Sequence, residues 1–191
     1  MKKRRRGAEL EDALLDAAWM ELSEFGYTGF TMDGVAARAK TSRPVISRRW
    51  SEKADLSIAA IRRQKAQNPI DVPDRGDVRT ELLEYLELAS RHVTEISAVF
   101  TLFSSEYFKE TQSTPQDLRI ALIAGGKNTF EAILNRAIER GEIDPEKLAP
   151  PIATLLPDLL RHHAVMTFSP PPLSLRTAWV DLIFLPLVTT D

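Results

Sequence analysis

The stretch that most constrains this chain is TMDGVAARAKTSRPVISRRW, residues 31–50. Met32, Val35, Ala36 and Ala39 recur at steps of three and four, so a short helix carries one narrow apolar stripe and turns Asp33 and Arg38 to water. Small residues on that stripe let a second helix cross closely. The second helix has its own start: Ser42 accepts from exposed amides of the first turn, and Pro44 sits where its missing amide breaks no helical hydrogen bond. Ile46 and Trp50, four apart, anchor its inner face and leave Arg43, Val45, Ser47, Arg48 and Arg49 outside. Two short amphipathic helices joined by three or four residues form a helix-turn-helix, whose second helix enters the DNA major groove. The outer side chains suit that place. Arginines offer forked donors to guanine edges or phosphate, hydroxyls reach backbone or base, and Val45 meets a thymine methyl.

The longer block from Leu14 to Leu56 resembles the DNA-binding domain of the TetR family of bacterial repressors (TetR/AcrR-like). The resemblance lies in Phe25-Gly26-Tyr27 at the end of a first helix, then Thr31-Met32, Val35-Ala36, Ala39, Ser42, Trp50 and Ser51-Glu52-Lys53. It adds Thr31, Thr41, Ser42, Pro44, Trp50 and Lys53 to the DNA-facing set. Three residues depart from the family pattern. Lys40 stands where the turn usually has glycine, Ser47 where a phosphate-binding tyrosine is usual, and Pro44 where a small residue usually precedes Val45. Beyond Leu56 the likeness is looser, in Arg140-Gly141-Glu142-Ile143 and Val180-Asp181-Leu182.

A net charge of −2 looks unsuited to DNA until it is divided by position. Residues 1–66 hold 14 Lys and Arg against 9 Asp and Glu, whereas residues 67–191 hold 11 against 18. The basic excess accompanies the motif, and the run Lys2 to Arg6 reads as an N-terminal arm for phosphate or the minor groove or, alternatively, as a disordered solubilising arm. There is no cysteine, hence no disulfide or thiolate metal site. Glu9, Glu11, Asp12 and Asp16 come soon after the basic run, so it is not a signal peptide, and no apolar run reaches membrane-spanning length. These features predict a soluble, cytoplasmic protein with no membrane partner.

The remaining periodicity is helical, giving an all-α chain. An N-terminal arm and three-helix DNA-binding domain (1–52) precede a helical ligand-binding and dimerisation bundle (53–191). Gly26 ends the first helix, and a fourth runs from Glu52 to Gln67 as the lever between the domains. Residues 68–76 read as a loop. Leu82, Leu86, Ala89, Val93 and Ile96 stripe a further helix, followed by a short aromatic one. A long helix is expected from Thr114-Pro115 to Arg140, capped by Gly141; the last two run from Glu146 to Phe168 and from Leu173 to Val188.

The last two helices carry too many apolar positions to be covered on one side only. Leu156, Leu159, His163, Trp179 and Ile183, on stripes that also hold Met166, Leu182 and Leu187, are therefore assigned to a homodimer interface, which the resemblance also implies and which would set two recognition helices about one DNA turn apart; the alternative is that the stripes are core within one chain. Pro157 should bend its helix, and the resemblance implies a ligand cavity there, lined by Phe100, Phe103, Tyr107, Phe108 and Phe130 with Glu106 or Asp158 available for a cationic ligand, although by spacing alone these aromatics also read as core. The ligand set is Phe100, Phe103, Tyr107, Phe130 and Asp158. No cofactor, metal ion or catalytic residue is expected. His162 and His163 are adjacent rather than four apart, and Gly125-Gly126-Lys127 lacks the spacing of a phosphate loop. The predicted function is repression of transcription, with a double-stranded DNA operator, a small lipophilic inducer and a second copy of the chain as partners. The alternative is a helical small-molecule binding protein without a DNA-binding role.

Overall fold

The computed structural model describes residues 7–103, 106–123 and 128–189, apart from the side chains of residues 103, 119, 122 and 123. The basic run Lys2 to Arg6 and the segment Gly125-Gly126-Lys127 lie outside them. Among the described residues the chain is helical, and its only β feature is an isolated bridge between Ile143 and Thr189. The helices are α1 (Ala8–Gly29), α2 (Met32–Ala39), α3 (Arg43–Ser47), α4 (Lys53–Gln67), α5 (Val78–Ser90), α6 (Val93–Phe103), α7 (Tyr107–Thr111), α8 (Pro115–Ile123), α9 (Thr129–Glu139), α10 (Pro150–Ala153), α11 (Leu155–Thr167), α12 (Leu173–Ala178) and α13 (Leu185–Val188). A 3-10 turn, Pro145–Lys147, precedes α10, and a π-helical stretch, Trp179–Phe184, joins α12 to α13.

The chain divides into two compact units, one of residues 1–69 and 98–126, the other of 70–97 and 127–191. The expected linear division after Glu52 differs from this partition because α4 packs along α1 and shares its core. In the first unit Leu14, Ala18 and Leu22 of α1, Val35 of α2, Ile46 of α3 and Leu56 and Ile61 of α4 meet in one buried cluster, joined by Leu102 and Leu118. Arg63 of α4 reaches back to Asp12 and to Asp16, the latter at 3.0 Å. Gly26 interrupts α1 with φ +63°, ψ −179°, and Tyr27 and Phe30 after it turn into the core.

The second unit surrounds Leu82, Leu86, Phe130, Ile133, Leu156, Leu160, Val180 and Phe184. Asp77 caps α5 by accepting from the Thr80 amide at 2.7 Å. Glu81, fully buried, takes the Arg136 guanidinium at 2.6 Å, that of Arg140 at 3.1 Å and the Arg75 amide at 3.0 Å, which fastens the loop before α5 to α9.

Several helix limits differ from those expected. The stripe from Leu82 to Ile96 is broken at Arg91-His92, which separates α5 from α6, and Tyr107 opens a separate helix. The helix expected to run to Arg140 is interrupted at Asn128 (φ −89°, ψ 83°), whose side chain caps α9 by accepting from the Glu131 amide. Gly141, φ +74°, ends α9 as expected, with its own amide and that of Glu142 donating to Ile138 and Ala137. Pro157 does not kink a helix. Thr154 (φ −116°, ψ 2°) breaks the chain first, so Pro157 lies in the first turn of α11, where no helical bond depends on its amide.

Candidate nucleic-acid interface

Thr31 begins the interface with extended backbone, and its hydroxyl accepts from the Gly34 amide at 3.0 Å, capping α2. The turn out of α2 depends on Lys40, which is left-handed at φ 55°, ψ 50°. The amides of Lys40 and Thr41 donate back to Ala37 at 3.1 Å and Ala36 at 2.9 Å, the paired bonds that satisfy a helix end when the next residue turns left-handed. The chain therefore holds the turn at a position where the family pattern has glycine.

α3 starts at Arg43 after an extended Ser42, with Pro44 in its first turn as expected. Ser42 does not cap it through its side chain; the capping bond is backbone to backbone, Val45 N–H to the Ser42 carbonyl at 3.0 Å. Ile46 is fully buried, and Trp50 packs half-buried on the same core, so both face inward as their spacing predicts. Val45 also leans partly on that core. Ser42, Arg43, Pro44, Ser47, Arg48 and Arg49 remain exposed, Thr41 and Lys53 are half-buried, and Thr31 is exposed.

Two of the arginines have partners within the motif. Arg43 pairs with Asp33 at 3.0 Å, both side chains well exposed, and Arg49 donates to the Val45 carbonyl at 3.3 Å. Lys53, the first residue of α4, pairs with Glu110 of α7 at 3.1 Å and lies over the Tyr27 ring, 4.5 Å from its centroid. The Tyr27 hydroxyl donates to the other Glu110 oxygen at 2.7 Å. Burial works against ionisation of Glu110, but Tyr27 and Lys53 outweigh it and hold the carboxyl below its usual range. Burial first, and the Glu110 hydrogen bond second, push the Tyr27 hydroxyl well above the usual tyrosine range. Glu110 and Tyr27 are absent from the expected DNA-facing set, since nothing in sequence spacing joins residues so far apart.

The expected ligand set disperses. Tyr107 packs in the first unit, its ring 5.3 Å from Tyr27 and 5.4 Å from Phe108. Phe130 is buried in the core of the second, 5.1 Å from Tyr85 and 6.2 Å from Phe184. Asp158 is exposed and paired with Arg161. Phe100 is substantially exposed on α6, and the side chain of Phe103 lies outside the described residues. Tyr107 does line an open cavity of about 380 Å³ with Trp50, Ile58, Ala59 and Ala121, and with Asp55 and Arg62 as its charged members.

The expected dimer set divides as well. Leu156 is fully buried in the core of its own unit, and Trp179 is nearly so, its ring edge-on to His163 at 6.0 Å. Leu159 is half-buried. Ile183 is 39% exposed, joined on the surface by Met166 at 67%, Leu182 at 75% and Leu187. Of the apolar positions expected to pair, Met166, Leu182, Ile183 and Leu187 are therefore exposed, whereas Leu156 and Trp179 belong to the core. No described helix is long and apolar enough to cross a membrane.

Residues 14–60 match the family model described as bacterial regulatory proteins, tetR family, and residues 72–183 match the tetracyclin repressor-like C-terminal domain. An HTH-type transcriptional regulator of Mycobacterium tuberculosis, itself uncharacterised, is 30% identical over 179 residues, covering 94% of this chain and 88% of its own length. A DNA-binding transcriptional repressor of Mycobacteroides abscessus, named TetR, is 34% identical over 137 residues, 72% of each chain. A solved TetR-family regulator from Mesorhizobium loti shares the fold, with a TM-score of 0.68 at 15% identity over 98% of this chain and 100% of that one.

Proposed function

This chain belongs to the TetR family of bacterial transcriptional regulators, a family that binds DNA through its helix-turn-helix, and on that footing we propose that it is a ligand-responsive repressor. It binds a palindromic operator as a homodimer and is released by a small lipophilic inducer. The observation that carries this reading is the exposed row Ser42, Arg43, Pro44, Ser47, Arg48 and Arg49 on a helix fixed from behind by Ile46 and Trp50. Thr31, Thr41, Val45 and Lys53 complete the DNA-facing surface. The name of the Mycobacteroides abscessus relative favours repression over activation.

Two copies related by a twofold axis present two such helices to an inverted repeat. Exposed Met166, Leu182, Ile183 and Leu187, with half-buried Leu159, supply the apolar surface for that pairing. An inducer acts by binding better to a form whose recognition helices do not match the operator spacing. The cavity beside Trp50 and Tyr107 is a candidate seat, because its occupant would press on the residue that anchors the recognition helix. Residues 1–52, joined by Lys53 at the start of α4, then serve as the DNA-contacting part and the rest of 53–191 as the part that senses and dimerises.

The test is an anisotropy titration against duplexes from the DNA flanking the chain's own gene, over a range of salt. One fragment should bind preferentially. Arg43→Ala or Arg49→Ala should lose about 1–3 kcal/mol of discrimination if the arginine reads a base, or weaken all sequences alike if it meets phosphate. Equal binding to every fragment at all salt concentrations defeats the proposal.

A further inference from the structure

Lys53 differs from the other cations of the DNA-facing set in what holds it. Arg43 and Arg49 find partners inside the helix-turn-helix, whereas the Lys53 ammonium is gripped by α7, more than fifty residues further along the chain and within the same compact unit. One Glu110 oxygen takes the ammonium at 3.1 Å while the other accepts from the Tyr27 hydroxyl at 2.7 Å. Tyr27 is fully buried and packed edge-on against Tyr107, so its hydroxyl is a fixed point that orients the carboxylate. The same ring lies under the ammonium. Lys53 and Glu110 are nevertheless 27% and 37% exposed, so an incoming phosphate can reach the cation.

We infer that Glu110 is a built-in competitor for the phosphate contact of Lys53, with Tyr27 as its positioning residue, so that α7 sets DNA affinity through one carboxylate. The inference rests on the placing of Lys53 in the DNA-facing surface, where its ammonium would meet a phosphate. A phosphate gains less from an ammonium that a carboxylate already neutralises, and it meets the repulsion of that carboxylate as well. Movement of α7 that withdraws Glu110 strengthens DNA binding; movement that presses it home weakens it. Because α7 also carries Tyr107, which lines the cavity beside Trp50, one short helix joins that cavity to a DNA-facing cation.

Phosphate contacts serve every sequence, so a mixed-sequence fluorescent duplex is a sufficient probe. Anisotropy is measured against salt for the full chain and its variants, with thermal melts to show that each is folded. Glu110→Gln should tighten binding about two- to fivefold and steepen the salt slope by up to about one. Tyr27→Phe, which keeps the ring and loses the hydroxyl, should shift binding in the same direction by less. Lys53→Ala should weaken binding and flatten the slope by less than about one, because the carboxylate already claims part of that charge, and in that background Glu110→Gln should gain clearly less than it does with Lys53 present. An unchanged affinity in Glu110→Gln, or an equal gain with Lys53 removed, overturns the inference while leaving Lys53 as a phosphate ligand. An unchanged slope when Lys53→Ala is added to Glu110→Gln removes that underlying reading, and the inference with it.

Discussion

The carboxylate of Glu21 fills the space in which a Cβ on Gly34 would stand, so this side chain of α1 reaches α2 where only a glycine leaves it room. Glu21 is buried, and its second oxygen accepts from Arg38 Nε at 3.1 Å, so it cannot swing aside without breaking that pair. The capping hydroxyl of Thr31 crowds the same point at 2.9 Å. Gly34→Ala gains about 1 kcal/mol of helix propensity but overpacks a closed space, at a cost of about 1–3 kcal/mol, and disturbs the Arg38 contact. A net loss of about 1–2 kcal/mol is expected from urea unfolding. The loss should shrink by more than half when Glu21→Ala vacates the space.

Lys40 offers the opposite case, a side chain where glycine would fit better. Its left-handed backbone costs about 1–2 kcal/mol relative to an ordinary helical one, part of which Lys40→Gly returns as added freedom of the unfolded chain. A net stabilisation of about 0.5–1 kcal/mol is expected. Lys40→Asn should fall between the two, since asparagine tolerates this conformation. The measurement is urea unfolding of the three proteins without DNA, where loss of the lysine charge has least effect.

The contrast between these positions and the C-terminal helices shows which features sequence can disclose. The helix-turn-helix was legible because its determinants are local: the Val35-Ala36 stripe, Pro44 in a first turn, and Ile46 and Trp50 one helical turn apart. Gly141 as a cap was legible for the same reason. The break before α9 had a local signal in Asn128 and Glu131, whose side chains bond to each other at 2.9 Å, but continuous helical periodicity on either side masked it. The outward face of the last helix was not legible. Residues 179–184 follow i→i+5 bonding, which widens the turn, so a 3.6-residue period assigns Trp179 to the surface that Leu182 occupies. The Lys53–Glu110 pair had no local signal at all.

Asp77 ties stability to pH. Its carboxylate accepts from Thr80 at the start of α5, and the Thr80 hydrogen bonds hold its pKa below the ordinary aspartate range. A depressed folded-state pKa contributes stability that is fully present above the unfolded value of about 3.9 and is lost as pH falls through the folded one. Asp77→Asn preserves the cap without the titration. It should therefore match the parent at neutral pH and lose less stability below about pH 4. Asp77→Ala should cost about 1 kcal/mol at neutral pH. Thermal melts across the acid range, in constant salt, compare the three.

Trp179 and Leu182 lie three residues apart, yet substitutions at the two should fail in different ways. Trp179 is buried against His163 within its own unit, so Trp179→Ala opens a cavity and should cost about 3–5 kcal/mol of folding stability. Leu182 is 75% exposed and touches no core, so Leu182→Glu should leave the folded protomer intact. In the proposed dimer that glutamate would be buried without a partner, at a cost of about 2–4 kcal/mol, or a loss of about thirtyfold to about seven-hundredfold in dimer affinity. Sedimentation velocity at low micromolar concentration should show monomers for Leu182→Glu that still unfold in one cooperative transition, below the parent only by the lost association energy. Trp179→Ala should instead melt early, whatever its oligomeric state. A dimer that survives Leu182→Glu at the parent's affinity would place the contact on a face that excludes Leu182.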